Sequence, residues 1–143
     1  MTRALVALAW LVAAVFQLHG QQPVDVWSGV YTEAQAERGS IAYLRHCARC
    51  HGSDLSGNAE AEYPALEGDE FFDLWRDATL ARLEERIRTG MPFDRPGTLT
   101  QTESVDLIAF LLRSNNVPPG ATELPADAER LQRVVLTRDP RHR

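Results

Sequence analysis

The chain contains no lysine: all 15 basic side chains among its 143 residues are arginine, set against 20 acids for a net charge of −5. An acidic chain with scattered arginines lacks the dense basic footprint of a nucleic-acid binder, so no nucleic-acid partner is expected. Only two cysteines are present, which excludes a multi-disulfide scaffold. Nine glycines and eight prolines are too few for a fibrous or low-complexity protein. The length suits one domain with a modest core, and the three tryptophans with 44% apolar content argue against wholesale disorder.

The N-terminus holds the one long apolar run, 13 residues from Ala4 to Phe16 after a single charge at Arg3. That is the layout of a secretory signal, and it falls short of the roughly 20 residues that cross a bilayer as a helix. Cleavage is expected near Gly20. Leu18 is large for the position three before the cut, so an uncleaved membrane anchor is the alternative. The expected organisation is a signal peptide over 1–20, a lead over 21–28, a folded domain over 29–116 and a C-terminal extension over 117–143. The extension is compositionally distinct: residues 121–143 carry five arginines against four acids, whereas 21–120 carry nine against sixteen.

Thr32 and Gln35 read as a capping box that starts a helix running to about Cys47. Gly39 sits inside that helix at a cost of about 1 kcal/mol relative to alanine, which suggests close approach by another element. Residues 50–68 show no sustained period and carry turn residues from Gly52 to Pro64, so a long loop is expected. Glu70 to Arg76 reads as a short helix. Thr79 is expected to cap another, with Leu80, Leu83 and Ile87 on one stripe and Gly90 at its end. Thr100 and Glu103 form a second capping box, followed by a broad apolar face from Val105 to Leu112. Leu131, Val134, Val135 and Leu136 suggest a short docking helix, and the final residues from Arg138 look frayed. The reading is all-α, with loops too long for an ordinary bundle unless they wrap something.

Cys47-Ala48-Arg49-Cys50-His51 names what they wrap. Two thiols at this spacing can add to the two vinyl groups of a haem, with the adjacent imidazole directed at the iron. Structural zinc would need four convergent ligands, and His46, Cys47, Cys50 and His51 are too crowded to supply them. A thiol–disulfide oxidoreductase would place the pair at the start of a helix after a strand, and a simple disulfide is the bland alternative. For the sixth iron position, Met91 is the candidate: it follows a helix and precedes Pro92 in an irregular stretch, whereas a core methionine usually sits on a helical stripe. His/Met ligation would raise the reduction potential. His46 is expected to be exposed. Arg45 and Arg49 are expected on solvated faces or near haem propionates, and Trp75 either at a propionate or in the core.

Over roughly residues 29–114 these features resemble the class I c-type cytochromes. Gly39 and Tyr43, eight and four residues before Cys47, stand where the family packs its first helix on its last, and Leu107, Phe110 and Leu111 match the other half of that contact. The resemblance implies the cytochrome c fold, with N- and C-terminal helices crossing beside one covalently attached haem c per chain. Tyr63-Pro64-Ala65-Leu66-Glu67-Gly68 is similar to the segment whose proline carbonyl accepts the proximal histidine's Nδ1–H. That would make Pro64 the partner of His51 and Leu66 a haem contact. Thr89-Gly90-Met91-Pro92 is similar to the axial-methionine loop.

Shorter matches, Gly29 to Thr32 and Asn116 to Gly120, look like bacterial cytochromes associated with or fused to pyrroloquinoline-quinone dehydrogenases. The implied role is a periplasmic one-electron carrier rather than an enzyme. A quinoprotein dehydrogenase would be a donor, and another cytochrome or a terminal oxidase an acceptor. Membrane association is expected only through an uncleaved N-terminus or a complex. The rival readings are a haem-based gas sensor or peroxidase-like enzyme with a displaceable Met91, and a fixed cytochrome subunit of a dehydrogenase or respiratory complex.

Overall fold

The computed structural model describes residues 22–140, so the expected signal peptide lies outside the described residues. Helix α1 spans Glu33–His46 and α2 is the single turn Ala48–His51. They are followed by α3 (Gly68–Leu74), α4 (Leu80–Gly90), α5 (Gln101–Ser114) and α6 (Ala128–Leu131). Two short strands, β1 (Val24–Asp25) and β2 (Val134–Val135), pair in parallel with Val24 opposite Val134. The described fold is all-α apart from this pair, as expected. None of the described helices is long and apolar enough to cross a membrane.

The α1–α5 crossing organises the molecule. Gly39 lets the backbones meet: a Cβ there would stand 1.9 Å from the Asp106 carbonyl oxygen and 2.8 Å from the Phe110 Cβ. One turn on, the Tyr43 ring packs on Phe110 with centroids 5.0 Å apart. Beside the crossing, the Arg38 guanidinium forks onto Asp106, with its Nε and one terminal nitrogen at 2.9 and 3.0 Å from the two carboxylate oxygens. Helix α5 begins with the expected reciprocal capping box between Thr100 and Glu103. Helix α4 lies on α5, burying Leu80, Leu83 and Ile87 as its spacing predicts. The buried Glu84 carboxylate accepts at Oε1 from both Ser104 Oγ on α5 and Arg88 Nε, each at 2.8 Å, so its charge is partnered.

Several local expectations are corrected. Thr32 does cap α1, accepting from Gln35 N, but the Gln35 side chain does not close the box. Its Nε2 donates to Leu124 O at 2.9 Å and its Oε1 accepts from Leu124 N at 2.8 Å. The backbone of the extension is buried there and needs partners, which outweighs a second bond at an already capped terminus. Thr79 sits at the start of α4 without a side-chain cap, its hydroxyl bonded instead to Gln132 Oε1.

The extension packs against the rest of the described fold. The helix among its apolar residues is one turn, and Val134–Val135 form a strand rather than continuing it. Leu124, Leu131, Val134 and Leu136 are buried. Leu136 exchanges backbone bonds with the turn before α4, donating to Ala78 O and accepting from Asp77 N. Trp27, stacked on Phe72, donates its indole N–H to Thr137 O at 3.0 Å. Arg138, expected to fray, pairs with Asp69 and Asp73 on α3.

Candidate haem site

Helix α1 delivers the first thiol. Its last turn closes with Cys47 N bonded to Tyr43 O, and Cys50 N and His51 N both return to Cys47 O at 3.0 Å, winding the five-residue motif into one compact turn. Cys47 and Cys50 are half-buried free thiols. Burial, reinforced by the neighbouring Cys50, pushes the Cys47 thiol up to about 11, so it is neutral at physiological pH. Gly52, at φ +78°, turns the chain away directly after His51. The Tyr43 hydroxyl donates to Gly52 O at 2.7 Å, tying that exit to α1, and burial holds its phenol above the ordinary tyrosine range.

His51 is buried, and its Nδ1 lies 3.0 Å from Pro64 O. The carbonyl can only accept, so Nδ1 donates in this pair, and it is Nε2 that a neutral ring would offer to a metal. The structure thus brings together two residues 13 positions apart whose pairing the family resemblance implied. The loop between them is drawn in by glycine. A Cβ on Gly57 would stand 2.5 Å from Tyr63 O and 2.7 Å from Ala65 N, while Gly57 N donates to His51 O at 2.9 Å. Leu66, half-buried against the core, donates its N–H to Leu55 O at 2.8 Å.

Met91 directly follows α4, its N–H bonded to Ile87 O, and is half-buried; the Met91–Pro92 peptide is cis. Among the described residues, no hydrogen bond or ring contact joins Met91 to the other predicted site residues. Its loop is joined to the thiol turn through Arg49, whose guanidinium meets the Asp94 carboxylate at 3.1 Å. Arg49 was expected near propionates or on a solvated face; it does lie on the surface, 79% exposed, but is paired. Trp75 is half-buried beside α4, lining a surface cleft with Arg82 and Arg86. His46 is half-buried rather than exposed, and its Nδ1 is buried without a partner. Sequence reasoning missed Asn115, which bonds to Leu66 and Gly68. Its one signal was a polar residue closing an apolar helix, which ordinarily reads as a helix end.

The donor set fits a covalently held haem. Two free thiols stand in one turn, the next side chain is an imidazole with Nδ1 already engaged, and a thioether lies in a loop tied to that turn. Among the described residues no group of three or more His, Cys, Asp or Glu is placed to share a metal ion of its own.

Comparison with known proteins agrees. Residues 34–111 match the family described as cytochrome c oxidase, cbb3-type, subunit III. The chain is also 29% identical over 86 residues to a thiosulfate dehydrogenase of Psychrobacter arcticus, a match covering 54% of this chain and 25% of that protein. The chain therefore spans about a quarter of the length of this relative. No solved structure matches. The matched stretch begins in α1, runs through the thiol turn and ends in α5, more than half of the sequence, and by it the chain belongs to the family of the cbb3-type cytochrome c oxidase subunit III, a c-type cytochrome whose fold implies haem c.

Proposed function

We propose that this protein is a monohaem electron carrier whose iron is held between His51 Nε2 and the Met91 sulfur, with Cys47 and Cys50 as the covalent attachment points. The observation that carries the reading is the 3.0 Å contact from His51 Nδ1 to Pro64 O, which fixes the tautomer that leaves Nε2 free. When bound, the haem supplies a reversible one-electron change at iron, chemistry that no side chain of the protein offers. Cys47 and Cys50 hold the group against loss, as an exported protein requires. Pro64 orients the imidazole and raises its basicity, whereas the Met91 thioether, a neutral soft donor, favours the ferrous state and a high potential. Arg49 and Asp94 form a surface pair that joins the two donor segments.

The apolar run at Ala4 to Phe16 supports export and a periplasmic place of work. The short matches at Gly29 and Asn116 favour a quinoprotein dehydrogenase as donor, with another cytochrome or a terminal oxidase as acceptor. A second reading draws on the family description, a subunit of an oxidase: the chain would then serve as a fixed electron-transfer subunit. In that case the protein stays with washed membranes, whereas the free carrier is released with the periplasmic fraction.

The ligation is tested on protein matured with haem in an exporting host, by ferric and ferrous spectra with and without CO, comparing wild type with Met91→Ala. The expected wild type is low-spin and indifferent to CO, with a methionine–iron charge-transfer band that Met91→Ala loses as it gains CO binding. A wild type that is high-spin or binds CO readily overturns the Met91 assignment and favours gas sensing or peroxide chemistry.

A further inference from the structure

Asn115 stands directly past α5, buried at 5% exposure, with its carboxamide fully engaged. Its Nδ2 donates to Leu66 O at 3.0 Å and to Leu111 O at 2.8 Å, and its Oδ1 accepts from Gly68 N at 2.8 Å. Leu66 O and Gly68 N flank Glu67, so one side chain grips this extended segment from both sides, as a neighbouring strand would. Two residues upstream is Pro64, whose carbonyl meets His51 Nδ1. Pro64 has no N–H of its own to anchor it, and Ala65 N reaches only the exposed Glu70 carboxylate at a long 3.4 Å. On its N-terminal side the segment is held by the reciprocal backbone pair of Tyr63 with Asn58, at 2.8 and 2.9 Å; past Pro64 the firm holds are Leu66 N on Leu55 O and the two bonds to Asn115. The Leu111 bond roots the amide in α5.

We propose that Asn115 is a positioning residue for the iron's proximal ligand: through Leu66 and Gly68 it holds the Pro64 carbonyl on His51 Nδ1 and so sets the donor strength of His51. The inference rests on the reading of His51 as that ligand. A hydrogen bond at Nδ1 makes the imidazole a stronger donor, which favours ferric iron. Loss of the Asn115 grip lets the Pro64 carbonyl recede, weakens the donor and favours ferrous iron.

The test uses holoprotein of wild type, Asn115→Ala and Asn115→Ser, with Gln35→Ala as a control that loosens the extension elsewhere. Each is held at one electrode potential and its ferrous-to-ferric ratio read by absorption. Asn115→Ala is expected to raise the ratio about tenfold, equal to about 59 mV for a one-electron couple. Asn115→Ser, which keeps a short donor and acceptor, shifts it by about threefold to fivefold, and Gln35→Ala stays within about twofold. The methionine–iron band persists in all four, placing the change on the histidine side. If Asn115→Ala does not yield folded holoprotein, the serine variant alone decides. Asn115 variants within twofold of wild type, an equal shift in Gln35→Ala, or loss of the methionine band overturns the positioning role. A wild type without a low-spin histidine-ligated spectrum instead overturns the reading of the site, and the Asn115 role with it.

Discussion

Gly39 and Asp106 touch through their backbones: the space a Cβ would need on Gly39 is taken by the Asp106 carbonyl oxygen, 1.9 Å away. Neither neighbour can yield cheaply, because one is helix backbone and another, the Phe110 Cβ, is fixed to the same helix. Gly39→Ala adds a better helix former worth about 1 kcal/mol but forces α1 and α5 apart. The expected net result is destabilisation of about 2–3 kcal/mol, read as a lower guanidinium midpoint of the holoprotein. A variant as stable as wild type would show that the helices do not meet here.

Gln35 and Leu124 make a second test, of the extension. Gln35→Ala leaves a buried N–H and a buried carbonyl of Leu124 without partners, a loss of about 1–3 kcal/mol. Truncation after Pro119 removes Leu124, Leu131, Val134 and Leu136 from the core as well, and should cost more than the single substitution. Thermal unfolding of both variants measures the difference; an extension that merely trails would leave the transition unmoved.

Tyr31 gives the pH dependence. Its hydroxyl donates to Val117 O at 2.6 Å, and burial, aided by the Glu33 charge, pushes the phenol up to about 12 from 10.0. The unfolded chain loses this proton near pH 10 while the folded one keeps it, so the unfolded state binds fewer protons across this window. The Tyr31 contribution is complete below pH 10 and is lost as pH rises toward 12. Tyr31→Phe should flatten the fall in stability between pH 10 and 12 without abolishing it, because burial raises Tyr43 as well. Denaturant melts at half-unit pH steps check this. An unchanged slope would contradict the buried phenol.

Gly57 connects loop geometry to the iron site. It combines φ +73° with a Cβ position 2.5 Å from Tyr63 O, so Gly57→Ala is strained by conformation and by contact together. A cost of about 2 kcal/mol or more is expected, with the Pro64 carbonyl displaced from His51 and the midpoint potential raised. Redox titration of the variant reads the second effect independently of its melting curve.

What was legible in the sequence follows from range. Helices α1 and α5 could be read from caps and apolar spacing, α4 from its apolar stripe, the thiol turn and His51 from their spacing, and Pro64 only through the resemblance to the class I c-type cytochromes. Gly39 could be read because a glycine inside a helix has a local cost that needs a distant reason. Gln35, Thr79 and Arg138 were misread for the opposite cause: each has an ordinary local use, while its actual partner lies 89, 53 or 69 residues away. Nothing local announces such a partner. Asn115 escaped notice in the same way, since its bonds to Leu66 and Gly68 exist only once α5 lies against the 64–68 segment.

The central claim, one-electron transfer at a His51/Met91 iron, is tested most directly by spectroelectrochemical titration of the wild-type holoprotein, following the haem band and the methionine–iron band together. The account predicts one haem per chain and a single reversible Nernst curve with one electron per haem. Low-spin spectra should hold in both states, with the methionine band vanishing on reduction and returning on oxidation. A high-spin state on either side of the curve, or a wave that moves when CO is admitted, would contradict it.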